Sequence, residues 1–196
     1  HIVVMGTGEP FDNYDELLRA LNIFHEEKGL NISLRNITVS TCGLTEKIMR
    51  FADDMPQVNL AVSLHAPSDE IRLKLMPVAK SCSMSELLSV CRKYTEKTHR
   101  RITFEYALIE GVNDSMENAA QLAARLRGML CHVNLIPLNR VSEKDFRGSA
   151  RKHAEKFAAV LSSKGIEVTV RRELGSDISA ACGQLRLTAE GKAEHL

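Results

Sequence analysis

The sequence lacks an excess of charge of one sign and lacks any long apolar run. Its 26 Lys and Arg nearly balance its 25 Asp and Glu, which leaves a formal net charge of +1. No global field therefore attracts the chain to nucleic acid, and any RNA contact must come from a local basic patch. No apolar stretch reaches the length of about 18 residues that a membrane-spanning helix needs, so we expect no membrane partner.

Paired cysteines are also absent. The chain has five cysteines, an odd number, and no C-x-x-C pair, so the spacing indicates neither a disulfide framework nor a zinc site. Unpaired thiols are typical of a reducing compartment, which predicts a cytoplasmic protein. The chain begins inside an apolar run, Ile2-Val3-Val4-Met5, where a domain usually has a leader, and we expect it to be a fragment of a longer protein.

Short β-branched runs alternate with amphipathic segments along the chain. The alternation predicts an α/β fold with a parallel sheet and leaves open whether the sheet closes into a barrel or stays open and doubly wound. Capping boxes are expected at Asn13 with Glu16 and at Asp114 with Glu117. The predicted helices include Thr45–Asp54, Asp69–Leu75, Met84–Lys97 and Arg151–Lys164. The predicted strands are Ile2–Met5, Ile37–Ser40, Val58–Leu64, Ile102–Leu108, Val133–Ile136 and Ile166–Arg171.

In either architecture, ligands bind beyond the carboxyl ends of the parallel strands. The first predicted strand is followed by MGTGEP. Here Gly8 offers exposed backbone groups, and Glu9 offers a carboxylate suited to an ammonium or a ribose hydroxyl. An ordinary turn with a solvated glutamate is an equally good interpretation of this stretch alone.

Polar side chains follow later strands at the same end. Ser40 and Ser63 offer hydroxyls, and His65 is a switchable donor or acceptor. Asn139 ends the run VNLIPLN with an amide edge that could read an adenine. Taken singly, each of these residues is more typical of turn chemistry. Their convergence at one end of successive strands favours a shared ligand.

The stretch GSDISAACGQL places one thiol, Cys182, among small residues. A cysteine that fills a core usually has bulky apolar neighbours. Small neighbours instead let another backbone or a large substrate come close.

Taken in order, MGTGEP, TVSTCG, AVSLHAP, FEYALIEGVND, VNLIPLN and GSDISAACGQL resemble the radical S-adenosylmethionine (SAM) adenine-C-methyltransferases of ribosomal RNA. The resemblance covers essentially the whole chain, and the last motif is highly specific. It implies a partial (βα)6 radical-SAM barrel that lacks its first strand or strands. Residues 1–163 would form the barrel portion, and residues 164–196 would form a C-terminal strand and the segment of a methyl-carrying cysteine.

The resemblance also implies site residues, cofactors and partners. Cys182 would be the methyl-carrying cysteine, accepting a methyl group from one SAM. A radical made from a second SAM would then activate that methyl group. The implied target is carbon 2 of an adenine in 23S rRNA, and in some bacteria also in tRNA, and the electron donor would be a flavodoxin or a ferredoxin. The implied SAM contacts are Gly8, Glu9, Ser40, Ser63, Leu64, His65 and Asn139.

One departure from the family is large. The family binds its [4Fe-4S] cluster through C-x-x-x-C-x-x-C, and this motif is absent from the chain. The resemblance places those ligands upstream of His1, so we expect no metal ligands here and no activity from this chain by itself. Two alternatives stay open: an enzyme that methylates carbon 8 of the adenine, and a non-catalytic α/β module that binds SAM.

Overall fold

The chain folds around one six-stranded parallel sheet. The computed structural model describes residues 1–5, 8–137 and 148–171. Each strand pairs in parallel with its neighbours in the sequence, so the order in the sheet is the order in the chain. The strands are β1 (Ile2–Val4), β2 (Ile37–Thr41), β3 (Asn59–Ser63), β4 (Ile102–Leu108), β5 (Cys131–Pro137) and β6 (Glu167–Val170). The prediction of an α/β fold with a parallel sheet is confirmed.

Helices connect successive strands. They are α1 (Tyr14–His25), α2 (Thr45–Asp54), α3 (Asp69–Leu75), α4 (Met84–Thr98), α5 (Met116–Leu126) and α6 (Arg151–Ser163), with short 3-10 turns at Pro10–Asn13, Leu34–Asn36 and Pro77–Lys80. A doubly wound sheet reverses its strand order at a switch point, whereas this order never reverses. With right-handed crossovers, all helices then cover one face of the sheet. The order therefore favours the barrel-type alternative. The expected absence of a first strand stays a prediction.

The two faces of the sheet differ in chemistry because side chains alternate along each strand. One face packs on the helices in a single apolar core that includes Val39, Val62, Phe104 and Leu135. We call the opposite face the polar face. Its residues lie one position away along each strand and include Thr38, Ser40, Asn59, Ser63, Thr103, Glu105, His132, Asn134, Glu167 and Thr169.

Both predicted capping boxes are wrong. Asn13 makes no side-chain cap bond, because a 3-10 turn precedes α1 and Glu9 caps that turn by accepting from the Phe11 amide. At α5 the box is formed by Ser115 and Asn118. Asp114 is already engaged, since its carboxylate accepts from the Gly111 amide at 3.0 Å and from the Ser149 hydroxyl at 2.6 Å.

Among the helices of the described ranges, none is long and apolar enough to cross a membrane. The division of the chain into residues 1–163 and 164–196 stays a prediction. β6 belongs to the second portion but pairs directly with β5 of the first, and most of the second portion lies outside the described residues.

We expect Gly43→Ala to destabilise the fold more than Gly128→Ala. Both glycines have positive φ, +108° and +74° respectively. A Cβ on Gly128 would meet nothing within 4 Å, whereas a Cβ on Gly43 would lie 3.0 Å from Leu87 and 3.4 Å from the Arg72 guanidinium. Urea unfolding should show a difference of about 1 kcal/mol or more between the variants. Equal losses would mean that backbone strain alone makes Gly43 necessary.

Candidate functional site

The structure brings the first predicted site residues together at the carboxyl edge of the sheet. Gly8 and Glu9 lie in the loop after β1, and Ser40 lies near the end of β2. The stretch Ser63-Leu64-His65 ends β3 and begins the next loop. Because the strands are parallel and adjacent, these loops emerge side by side. The structure thus places these residues at one edge of the sheet, and their binding of a shared ligand stays a prediction.

The Glu9 carboxylate joins the first two loops. Its Oε1 accepts from the Phe11 amide at 3.0 Å, and its Oε2 accepts from the Cys42 amide at 2.6 Å. Sequence reasoning predicted a carboxylate free for a ligand. The structure instead fixes its direction with two backbone donors and leaves each oxygen with a second lone pair. Gly8 beside it has φ +117°, and a Cβ there would meet nothing within 4 Å, so a ligand has room to approach the backbone.

Arg72 supports this arrangement from α3, and sequence reasoning missed it. The side chain is fully buried. It donates from Nη2 to the Cys42 carbonyl at 2.9 Å and from Nη1 to the Cys82 carbonyl at 3.3 Å. Its Nε, also buried, has no partner among the described residues. Nothing in the spacing of α3 distinguishes this arginine from a surface one, because its partners lie on distant loops.

His65 is held in one orientation by its neighbours. Its backbone is left-handed, with φ +55°, and its ring Nδ1 accepts from the Ala107 amide at 3.0 Å. Burial, followed by the nearby Arg72 guanidinium, lowers the pKa of His65 to about 4. At neutral pH the ring is therefore uncharged, and because Nδ1 accepts, the proton is on Nε2. His65 is a neutral donor in this site.

Asn113 locks the His65 loop to the loop after β4. It is fully buried, and its amide donates to the carbonyls of His65 and Ala107, each at 2.7 Å, while Oδ1 accepts from the Ile109 amide at 2.7 Å. The side chain is thus engaged on both ends, as a buried amide requires. The only signal for it in the sequence is its place in the motif FEYALIEGVND.

The remaining predicted residues divide into three groups. Ser40 and Ser63 lie on the polar face, and within the described ranges their hydroxyls have no hydrogen-bond partner. Leu64 is fully buried in the apolar core, so only its backbone can serve a ligand. Asn139 and Cys182 lie outside the described residues, and their roles stay predictions.

Comparison with known proteins gives the family. The Radical SAM superfamily matches residues 1–123, and the chain belongs to this superfamily. A protein of Thermoanaerobacter sp. (strain X514) with the name "Probable dual-specificity RNA methyltransferase RlmN" is 55% identical over 95% of this chain and 54% of its own length. A protein of the same name from Clostridium perfringens (strain SM101 / Type A) is 56% identical over the same shares. The chain thus spans about half the length of these relatives.

Solved structures agree with the fold. The crystal structure of a radical SAM methyltransferase from Sphaerobacter thermophilus superposes with a TM-score of 0.91 at 52% identity, over 94% of this chain and 54% of that one. A domain of a pyruvate-formate lyase-activating enzyme from Bacteroides vulgatus gives a TM-score of 0.66 at 16% identity, over 87% of this chain and 98% of that one, and shows the shared fold alone.

The residues present fit SAM. SAM carries an ammonium, a carboxylate and two ribose hydroxyls. The site offers a carboxylate with spare lone pairs at Glu9, and hydroxyls at Ser40 and Ser63 that have no partner in the described part of the chain. The open space before Gly8 lets a ligand reach the backbone. The same residues do not fit a [4Fe-4S] cluster. The cluster motif is absent from the sequence, and in the described ranges no three His, Cys, Asp or Glu side chains are grouped to hold a metal. No catalytic step is therefore assigned to a cluster on this chain.

We predict that His65→Asn retains stability and that His65→Val loses about 1–3 kcal/mol. Asn tolerates the left-handed backbone and offers an oxygen to the Ala107 amide, whereas Val does neither.

The native protein should also lose stability as the pH falls from 6.5 towards 4, because the unfolded state then binds a proton that neutral His65 does not. Urea titrations of the three proteins at pH 7 and pH 5 test both points. The pH-dependent loss should shrink in His65→Asn, and an unchanged loss would assign it to other groups.

Proposed function

We propose that the full-length gene product is a radical-SAM RNA methyltransferase that methylates carbon 2 of an adenine in 23S rRNA, and of an adenine in tRNA. The observation that carries this proposal is the 55% identity to named dual-specificity RNA methyltransferases over 95% of the chain. The motif GSDISAACGQL supports the same reaction class. The proposed setting is the cytoplasm, with a flavodoxin or a ferredoxin as electron donor.

The strand-end residues would hold SAM, which supplies the transferable methyl group and the radical. Glu9 binds its ammonium or ribose, with the Phe11 and Cys42 amides fixing the direction of the carboxylate. Ser40 and Ser63 donate or accept at its polar groups, and neutral His65 donates from Nε2. Asn139 completes the proposed set. Arg72 contributes by holding the Cys42 loop.

Cys182 would carry the methyl group. Its thiolate attacks the methyl carbon, a sulfur–carbon bond forms, the bond from that carbon to the sulfonium breaks, and S-adenosylhomocysteine leaves as a neutral thioether. Cys42, Cys91 and Cys131 are poor competitors for this step. Burial raises the pKa of Cys91 to about 12 and that of Cys131 to about 11. Burial and the Glu9 carboxylate raise the pKa of Cys42 to about 12. These thiols stay protonated at neutral pH, and a protonated thiol is a weak nucleophile.

We expect Cys182→Ala in the full-length gene product to abolish RNA methylation and to leave SAM binding unchanged. The matched control is Cys131→Ala, which removes a buried thiol at the amino end of β5, away from the site. Mass spectrometry of the wild-type peptide should show a methyl group on Cys182, and nuclease mapping of the RNA should place the new methyl on carbon 2. Retained turnover in Cys182→Ala would refute the covalent role, and a methyl group on carbon 8 would replace the proposed target by the alternative one.

Glu9→Gln and Asn139→Ala should each weaken SAM binding at least about tenfold, because each removes a polar contact in a confined site. Isothermal titration of SAM into the reconstituted gene product measures the dissociation constant, and thermal unfolding controls for folding. A dissociation constant equal to that of the wild type in a folded variant would reassign the residue to loop structure.

A further inference from the structure

A row of polar residues crosses four strands on the polar face, next to the proposed SAM site. Ser63 pairs in register with Glu105 on β4, Glu105 with Asn134 on β5, and Asn134 with Thr169 on β6. In-register partners point to the same side of a sheet. Only Ser63 belongs to the site assigned so far, so the rest of the row extends that site towards β6.

Glu105 is the unusual member of the row. Its neighbours Phe104 and Tyr106 pack in the core on the other face, and Glu105 itself is only 6% exposed. Its Oε2 accepts from Asn134 Nδ2 at 2.9 Å. Burial raises the pKa of the Glu105 carboxyl, while the Asn134 hydrogen bond and the Arg171 charge oppose that rise. Packing alone does not explain a carboxylate here, since a buried acid costs free energy that a small apolar side chain does not.

The backbone of Glu105 is tied to the proposed SAM residues. Its carbonyl accepts from the Leu64 amide at 3.0 Å and from the His65 amide at 3.2 Å. These bonds fix the position of Glu105 relative to the loop after β3. The side chain is directed the other way, to Asn134 on β5. The Glu105–Asn134 pair therefore lies beside the SAM residues and is held rigidly with respect to them.

The pair retains hydrogen-bonding capacity. Among the described residues, no partner contacts Glu105 Oε1 or Asn134 Oδ1, and the Asn134 amide has a second N–H. The pair thus presents two acceptors and one donor. An adenine presents an amine donor next to a ring nitrogen acceptor, and asparagine reads that combination with two hydrogen bonds. A guanine presents a carbonyl at the place of the amine, which a carboxylate repels.

We propose that Glu105 and Asn134 bind the exocyclic amine of the target adenine and select adenine over guanine. This inference rests on the proposed function, because it needs an RNA base as the substrate. The adenine of SAM carries the same amine, and the experiment separates the two sources. Glu105 and Asn134 then determine base specificity, whereas the loops after β1 to β3 serve SAM.

The test is a double-mutant cycle that combines a change of side chain in the protein with a change of base in the RNA. It uses the full-length gene product with its cluster reconstituted. The RNA is the shortest 23S rRNA fragment that the wild type methylates, made with adenine or with purine, which lacks the amine, at the target position. For the wild type, purine should raise the RNA dissociation constant about tenfold. Glu105→Gln should raise it about tenfold with adenine and by no further factor with purine. Asn134→Ala should also raise it about tenfold with adenine and by a smaller factor with purine, because purine keeps the ring nitrogen that Asn134 contacts.

The matched control is Thr103→Val, which changes a side chain two residues away on the same strand and the same face. It should behave as the wild type with both RNAs. SAM affinity should stay within about twofold of the wild type in all variants. Glu105→Gln is isosteric and keeps an acceptor for Asn134, so thermal unfolding should show no loss of stability.

Three outcomes would overturn the inference. If Glu105→Gln and the replacement of adenine by purine raise the RNA dissociation constant independently of each other, the pair does not contact the amine. A selective loss of SAM affinity would assign the pair to the adenine of SAM. A loss of stability with unchanged RNA affinity would make the pair structural. If the wild type methylates no RNA, the proposed function fails separately. In that case, the affinity for adenosine monophosphate is measured for the wild type and for Asn134→Ala. Equal affinities would show that the pair is not an adenine site.

Discussion

The hydrogen bond from the Cys42 amide to the Glu9 carboxylate is the contact on which the site depends. It joins the loops after β1 and β2, which no strand pairing reaches. The same residue, Cys42, accepts from Arg72 through its carbonyl. One loop residue therefore lies between a carboxylate and a buried guanidinium, and hydrogen bonds in such a chain polarise one another. The direction of Glu9 follows from contacts that begin on α3, far away in the sequence.

Burial and the neighbouring charges together keep His65 and Cys42 uncharged. Arg72 is fully buried and bonds only carbonyls among the described residues. Burial lowers the pKa of the nearby His65 ring, and the charge of Arg72 adds to that effect. Burial raises the pKa of the Cys42 thiol, and Glu9 raises it further, so this thiol stays protonated at neutral pH. Between Glu9 and Arg72, the loops after β1 to β3 thus hold His65 as an uncharged ring and Cys42 as a thiol at neutral pH.

The strand-end residues could be predicted from the sequence, and their supports could not. Glu9, Ser40, Ser63 and His65 follow β-branched runs directly, and parallel strands bring such positions to one edge. Arg72 could not be found in this way, because a helix of that pattern accommodates an arginine equally well on its surface. The wrong prediction of a capping box at α5 has a similar origin. Asp114 contacts Ser149, which lies on a loop far away in the sequence, and the local spacing of residues does not indicate this contact.

The chemistry of the polar face determines how large a ligand the fold serves. A closed eight-stranded barrel fills its interior with branched apolar side chains. Here the corresponding face carries Ser63, Glu105, Asn134 and Thr169 in one row. Thr169 bonds His132 and Asn134 bonds Glu105, and the hydrogen-bonding capacity that these contacts leave over must meet water or a polar ligand. SAM at the loops after β1 to β3 leaves Glu105 Oε1 and Asn134 Oδ1 without a partner among the described residues, since the two side chains bond each other only through Oε2 and Nδ2. We infer that the ligand region extends down the face of the sheet, so that the strands themselves, and not only their loops, bind substrate.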